Sequence, residues 1–135
     1  MKSQVRILPP ESGYIVSWPE PDVVEIDVCE SDDIYRRVTC RVFGMNGPEP
    51  RGATLASADR TRTRGEELTL TKTLKFIFME LPPNFLVPPR FKKYGRTVVR
   101  VILPDGSDIA DVLVDEGYAV PYFMGLGKPE PLSRK

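Results

Sequence analysis

Between Gly13 and Met45 the chain alternates apolar and polar residues, and this pattern constrains its fold more than any other feature. Gly13-Tyr14-Ile15-Val16-Ser17-Trp18 is rich in strand-forming residues and stops at Pro19. Val24, Ile26 and Val28 then alternate with Glu25, Asp27 and Cys29, the period-two signature of a half-buried strand. Glu30-Ser31-Asp32-Asp33 reads as a hairpin loop. Tyr35 to Met45 continues as a third strand, with either Val38, Cys40 and Val42 or Thr39, Arg41 and Phe43 facing inward. Three consecutive strands joined by turns form a meander, which must curl or pack to hide its apolar face.

The rest of the chain supplies what a curled sheet needs to close. Asn46 to Gly52 is dense in turn residues, and Ala53 to Arg64 reads as an irregular lead-in. Glu66 to Leu74 carries Leu68, Leu70 and Leu74 among helix-tolerant residues, weakened by three threonines. Lys75 to Leu81 is a strand, and Pro82 to Phe91, with four prolines, is an extended stiff loop. Arg96 to Leu103 is the clearest strand and ends at the turn Pro104-Asp105-Gly106. Ser107 or Asp108 then caps a short helix with Ile109, Val112 and Leu113 on one face, ended by Gly117. The fold class expected is mainly β, a five-stranded barrel with short helices, α+β overall. One domain over 1–123 and a frayed tail over 124–135 are expected.

Composition then removes whole classes of chemistry. The 135 residues contain no histidine and two cysteines. A Ser-His-Asp triad, a histidine base and a histidine-ligated or four-cysteine zinc site are therefore excluded. Any catalysis must use carboxylates, arginines, lysines, hydroxyls or a metal held by oxygen. No apolar run reaches the roughly 20 residues of a membrane helix, and the N-terminus lacks the apolar core of a secretory signal. A reducing, cytoplasmic setting with Cys29 and Cys40 as free, buried thiols is the expectation, with Trp18 as a barrel-end core residue. Lysine plus arginine and aspartate plus glutamate balance at 19 each, which argues against a protein that coats nucleic acid by bulk attraction. The balance is uneven along the chain. Residues 1–60 hold seven basic and ten acidic side chains, net −3, and residues 61–135 hold twelve and nine, net +3.

Three charged positions stand out. Arg41 lies inside a largely apolar strand, Glu49 in the Pro-Glu-Pro loop after it, and Arg96 opens the strongest strand beyond the basic cluster Arg90, Lys92 and Lys93. Guanidinium forks grip phosphate oxygens bidentately and stabilise developing charge. A carboxylate can orient or deprotonate a water. The alternative is that Arg41 and Glu49 form a structural ion pair. Asp22 and Asn46 sit at strand ends and offer oxygens of the kind a hard cation such as Ca²⁺ takes.

Two separated segments carry a family resemblance. Arg41-Val42-Phe43-Gly44-Met45-Asn46-Gly47-Pro48-Glu49 resembles the Arg-strand-Asp-x-Pro-Glu segment of the staphylococcal nuclease (thermonuclease) family. Phe91-Lys92-Lys93-Tyr94-Gly95-Arg96, an alternating strand, Asp105-Gly106, a short helix and Gly117-Tyr118-Ala119-Val120-Pro121-Tyr122 resemble that family's C-terminal half in order and approximate spacing. The resemblance covers roughly residues 14 to 123. It implies an OB-fold barrel and Ca²⁺-dependent hydrolysis of DNA or RNA phosphodiesters with little sequence preference, by a monomer. It further implies that Arg41 and Arg96 grip the scissile phosphate and that Glu49 holds or deprotonates the attacking water. Asp22, Asn46 and the Gly47 carbonyl would hold the metal, Lys93 and Tyr94 would contact a neighbouring phosphate, and Tyr122 would flank the nucleotide. Two departures bear on this. Asn46 stands where the family has an aspartate, so weaker Ca²⁺ binding is expected, and Glu20-Pro21-Asp22-Val23 replaces the family's Asp-Gly-Asp-Thr turn. A catalytically weakened OB-fold module that binds nucleic acid or protein is the second expectation.

Overall fold

A computed structural model describes residues 5–81 and 97–123. In chain order the elements are β1 (Arg6–Ile7), β2 (Glu11–Glu20), β3 (Val23–Ser31), β4 (Ile34–Val42), β5 (Gly44–Asn46), a 3₁₀ turn (Gly52–Thr54), α1 (Leu55–Thr69), β6 (Leu74–Glu80), β7 (Thr97–Ile102), α2 (Ile109–Asp115) and β8 (Val120–Tyr122). β2, β3 and β4 form the antiparallel meander. β6 pairs antiparallel with β2 on one side and β7 on the other, and β7 pairs parallel with β4. The five strands β2, β3, β4, β7 and β6 thus close into a ring, giving an OB-fold-like barrel with two helices. Closure leaves the ring without an open edge, which is how a strongly curled small sheet protects its backbone.

Alternation decides which side chains fill the barrel. Ile15 on β2, Val24, Ile26 and Val28 on β3, and Cys40 and Val42 on β4 are buried in one cluster with Phe76, Phe78, Val99 and Val101. The Val38/Cys40/Val42 parity therefore faces the interior. Arg41 and Phe43, on the opposite parity, are also buried, because a second layer covers the end of β4. Phe43 joins Met79, Leu81 and Val98 in a smaller cluster there.

Several boundaries differ from the sequence expectation. The strand expected over Tyr35–Met45 breaks at Phe43, because Gly44 takes φ +101, a conformation open to glycine, and re-aims the chain into β5. The expected four-residue hairpin loop is a tight turn at Asp32-Asp33, with Asp33 at φ 62. β2 runs through Pro19 because the ladder is bulged between Ser17↔Glu25 and Glu20↔Val23, so that prolyl nitrogen breaks no pairing. Cys29 is exposed rather than buried, since β3 and β4 run past the end of the barrel. Cys40 is buried, and burial pushes its thiol up to about 12. The two thiols are free and sit well apart on the ladder, Cys29 opposite Tyr35 and Cys40 opposite Val24.

The largest correction is α1. The segment read as an irregular lead-in, Ala53 to Arg64, is mostly helix. Its buried face is Ala58, Thr61, Gly65 and Thr69, at helical spacing but without a large apolar residue. Trp18 supplies the missing bulk. A Cβ added at Gly65 would lie 2.7 Å from the indole ring. The Trp18 indole N–H donates to Thr69 Oγ1 at 3.0 Å, and that hydroxyl donates to the Gly65 carbonyl at 2.6 Å. The Arg62 Nε–H also donates to the Trp18 carbonyl at 2.8 Å. Gly65→Ala should therefore destabilise the barrel by about 1–2 kcal/mol in urea unfolding. Overpacking of about 1–3 kcal/mol outweighs the gain of roughly 0.5–1 kcal/mol that alanine brings to a helix interior. A neutral or stabilised variant would show that the helix is not held against Trp18.

Packed beside α1, α2 is capped at both termini. Asp108 Oδ1 accepts from the Ala110 N–H at 2.9 Å, which settles the N-cap between Ser107 and Asp108. Gly117, at φ +85, ends the helix as expected. The Tyr118 N–H reaches the Leu113 carbonyl at 2.8 Å and the Gly117 N–H reaches Val114 at 3.0 Å, the double bond of a Schellman cap. A bidentate ion pair of Arg64 with Glu116, at 2.7 and 3.0 Å, ties α1 to this cap. No helix of the described residues is long and apolar enough to cross a membrane.

Candidate functional site

The start of β3, the end of β4 and the whole of β5 converge at one end of the barrel. Register places Val23 opposite Arg41, and the Val42 N–H donates to the Asp22 carbonyl at 2.9 Å. Asp22 is fully buried. Its Oδ2 accepts from the Gly47 N–H at 3.0 Å, which pins the turn after β5 against the entry to β3. Only glycine fits at 47, because an added Cβ would come within 2.5 Å of the Pro21 Cβ. The Asn46-Gly47 turn is thus drawn to Asp22 by a hydrogen bond and by the absence of a side chain.

Arg41 is 1% exposed. One terminal nitrogen donates to the Met45 carbonyl at 3.0 Å and the other lies 3.5 Å from the Val42 carbonyl. Its guanidinium carbon stands 4.9 Å from the centre of the Tyr122 ring, within cation–π range. Tyr122 arrives there because β8 pairs antiparallel with β5, through Gly44↔Tyr122, Met45↔Pro121 and Asn46↔Val120. The fork of Arg41 is therefore fixed by backbone carbonyls from below and an aromatic face from above.

Glu49 lies on the loop beyond β5. Its carbonyl accepts from the Arg51 N–H at 2.9 Å and from the Thr54 hydroxyl at 2.5 Å, so the loop is anchored to the 3₁₀ turn before α1. Its carboxylate is 57% exposed and pairs with Arg51 at 3.6 Å. An ion pair does form at Glu49, with Arg51 as a partner. The structure thus gathers Asp22, Arg41, Asn46, Gly47 and Tyr122 at one end of the barrel, with Glu49 on the adjoining loop. Arg96, Lys93 and Tyr94, with Arg90 and Lys92, lie outside the described residues. β7 begins at Thr97, and its Val98 is the register partner of Arg41.

A hard cation takes about six to eight oxygen ligands. The Asp22 carboxylate, the Asn46 amide oxygen and the Gly47 carbonyl are oxygens of the right chemistry, on residues that the bond from the Gly47 N–H to Asp22 Oδ2 draws together. Their formal charge is that of one carboxylate. Among the described residues no three of histidine, cysteine, aspartate and glutamate form a metal-holding group. The donor set suits Ca²⁺ in kind and is sparse in charge.

Sequence reasoning missed the two anchors of Arg41 at this end. The Met45 carbonyl leaves no trace in residue type, since any residue supplies one. β8 is three residues long, and its signal was confined to the alternation of Tyr118, Val120 and Tyr122. Arg51 carried a readable signal, a cation two residues from Glu49 in a tight Pro-Arg-Gly turn. Set against known proteins, the chain matches no family model and no curated protein.

Proposed function

We propose that this chain is a phosphodiester hydrolase acting on DNA or RNA, in which the Arg41 end of the barrel grips phosphate. The observation that carries this reading is a buried arginine fork held by carbonyls and a tyrosine face, with buried Asp22 bonded through its backbone to the neighbouring Val42. The resemblance of Arg41–Glu49 and of the segment ending in Arg96 to the staphylococcal nuclease family supports it, and that family supplies the reaction class.

In this reading Arg41, with Arg96, binds the phosphate oxygens and stabilises the charge that grows on them. Water attacks phosphorus, the P–O ester bond breaks and the leaving oxygen takes a proton. Glu49 holds the attacking water and receives its proton. Lys93 and Tyr94 contact a neighbouring phosphate, and Tyr122 offers its ring edge to the nucleotide. Asp22, Asn46 and the Gly47 carbonyl would hold Ca²⁺, which when bound neutralises phosphate charge. With one carboxylate in the set, saturation requires more Ca²⁺ than a two-carboxylate site would.

The test is digestion of single-stranded DNA at saturating Ca²⁺ and in chelator. Cleavage with Ca²⁺ that stops on chelation is expected, and no cleavage at saturating Ca²⁺ would sink the hydrolase reading. Two observations favour a second reading: the neutral Asn46 and the engagement of Glu49 by Arg51 fit an OB-fold module that binds nucleic acid or protein without cutting. DNA binding unchanged by Glu49→Gln, with hydrolysis absent from both proteins, would select it.

A further inference from the structure

Arg41 is covered. With 1% of its surface exposed, two nitrogens at backbone carbonyls and the Tyr122 ring 4.9 Å above, its fork is closed to an incoming phosphate. The aromatic cover belongs to β8. This strand is three residues long and, among the described residues, its one ladder is to β5, in a two-stranded sheet apart from the barrel. Its Val120 and Pro121 are exposed. Just past β8, Phe123 packs its ring 5.8 Å from that of Phe43. A Cβ added at Gly44 would crowd the Ala110 Cβ at 3.1 Å and meet the Phe123 ring at an ordinary 3.6 Å, so α2 and Phe123 both pack onto this point.

Short two-stranded ladders are marginal in isolation. The β3–β4 ladder, by contrast, carries eight register pairs. Local opening takes elements with short ladders and little buried surface first. β8, with three register pairs and two of its three residues exposed, is such an element, as is β1 with two pairs, and of the two β8 is the one that covers Arg41. Its release also frees Met45 from Pro121, and Met45 is the residue whose carbonyl holds Arg41.

We propose that β8 is a strap over Arg41, which lifts from β5 to uncover the guanidinium for a phosphate group and closes again when the phosphate leaves. This rests on the phosphate-gripping role of Arg41 put forward above and adds its regulation. Tyr122 is then a positioning residue in the closed state, where it holds the fork flat against the carbonyls, and a neighbour of the nucleotide in the open state. Phe123 sets how often the strap lifts.

The test labels Arg41 with phenylglyoxal on the full chain and locates the adduct by mass spectrometry. A thiol reagent in a parallel sample reports Cys40, which is buried in the barrel interior. Phe123→Ala should raise the Arg41 labelling rate about ten-fold with Cys40 still protected, and Tyr122→Leu should do the same. Inorganic phosphate should slow Arg41 labelling in the unaltered protein. Unchanged rates in both variants would overturn the strap. So would Arg41 labelling that rises only in step with Cys40, because exposure would then come from global unfolding. Failure of phosphate to protect Arg41 would overturn the assigned ligand class. DNA cleavage measured on the same samples separates the two ideas, since faster labelling without cleavage in any sample supports the strap and sinks the hydrolase.

Discussion

Arg41→Lys should lower Ca²⁺-dependent DNA cleavage by about 10²–10³-fold while the barrel stays folded. That range is what removal of one preorganised donor from a developing oxyanion costs. Lysine keeps the positive charge next to buried Asp22, so this is a milder change than truncation. It loses the planar fork that meets the Met45 and Val42 carbonyls on one side and would meet phosphate oxygens on the other. It also loses the flat face that stacks under Tyr122. The measurement is kcat at saturating Ca²⁺ and DNA beside a thermal melt of the same protein. A lysine variant within about three-fold of the parent, well inside the loss expected for a transition-state donor, would remove Arg41 from the chemistry and leave it a structural cation. Arg41→Ala is the less informative variant, because two carbonyls and a buried cavity would be left behind and loss of fold would mask loss of function.

The largest stability effect is expected at Asp108. This carboxylate is 8% exposed and does two jobs: Oδ1 caps α2 through the Ala110 N–H, and Oδ2 accepts from Arg100 Nε at 3.0 Å. Arg100 is itself 12% exposed. Asp108→Ala leaves that guanidinium buried without its carboxylate and uncaps the helix, so a loss of about 3–5 kcal/mol is expected in denaturant unfolding. Asp108→Asn keeps the capping oxygen and should recover about 1 kcal/mol of it. Equal losses in the two variants would mean that the cap contributes nothing.

Asp108 also has a pH signature of unusual sign. Burial raises its pKa, outweighing the lowering by the Ala110 N–H and by Arg100. A carboxyl raised in the folded state adds stability that is present in acid and lost as pH rises through its folded value. Asp27, hydrogen-bonded to Arg37, and Glu116, hydrogen-bonded to Arg64, are lowered instead. Their stabilisation is present above the ordinary carboxylate range and is lost as pH falls through their depressed values. On acidification from neutrality, Asp108 therefore opposes the loss at the other two. Asp108→Asn has no such proton to take up, so its melting temperature should fall further between pH 7 and pH 4 than the parent's. A parallel fall would show that burial does not raise this carboxyl, and a shallower one that pairing with Arg100 governs it.

Strand periodicity made most of the barrel legible. Val24, Ile26 and Val28 face inward as the alternation requires, and the capped helix between Asp108 and Gly117 follows from residue types whose backbone preferences are strong. α1 before Glu66 was illegible for a definite reason, while its last turn falls in the Glu66–Leu74 stretch read as helix-tolerant. Its inward face is Ala58, Thr61, Gly65 and Thr69, small because the volume against which it packs is filled by Trp18 from a distant strand. A single helix read alone cannot reveal that its missing bulk is carried elsewhere. The site divides along the same line. Asp22, Arg41 and Asn46 stand out by residue type and order, Gly47 and Tyr122 only through the family resemblance, and the structure brings the five to one end. The cover over Arg41 was not readable, because it depends on a three-residue ladder between segments far apart in the chain.

The seam that closes the barrel has a kinetic consequence. Among the described residues β4 and β7 meet through two register pairs, Arg41↔Val98 and Val42↔Val99, with a further bond from the Phe43 N–H to the Val99 carbonyl at 2.8 Å. The meander of β2, β3 and β4 is built from neighbouring residues, whereas this seam joins distant ones and must follow a costly loop closure. The Arg41 backbone is part of the seam, so the barrel end that carries the fork is complete only when the ring shuts. A ligand held there acts as a clasp on the finished barrel and slows its escape to the unfolded chain.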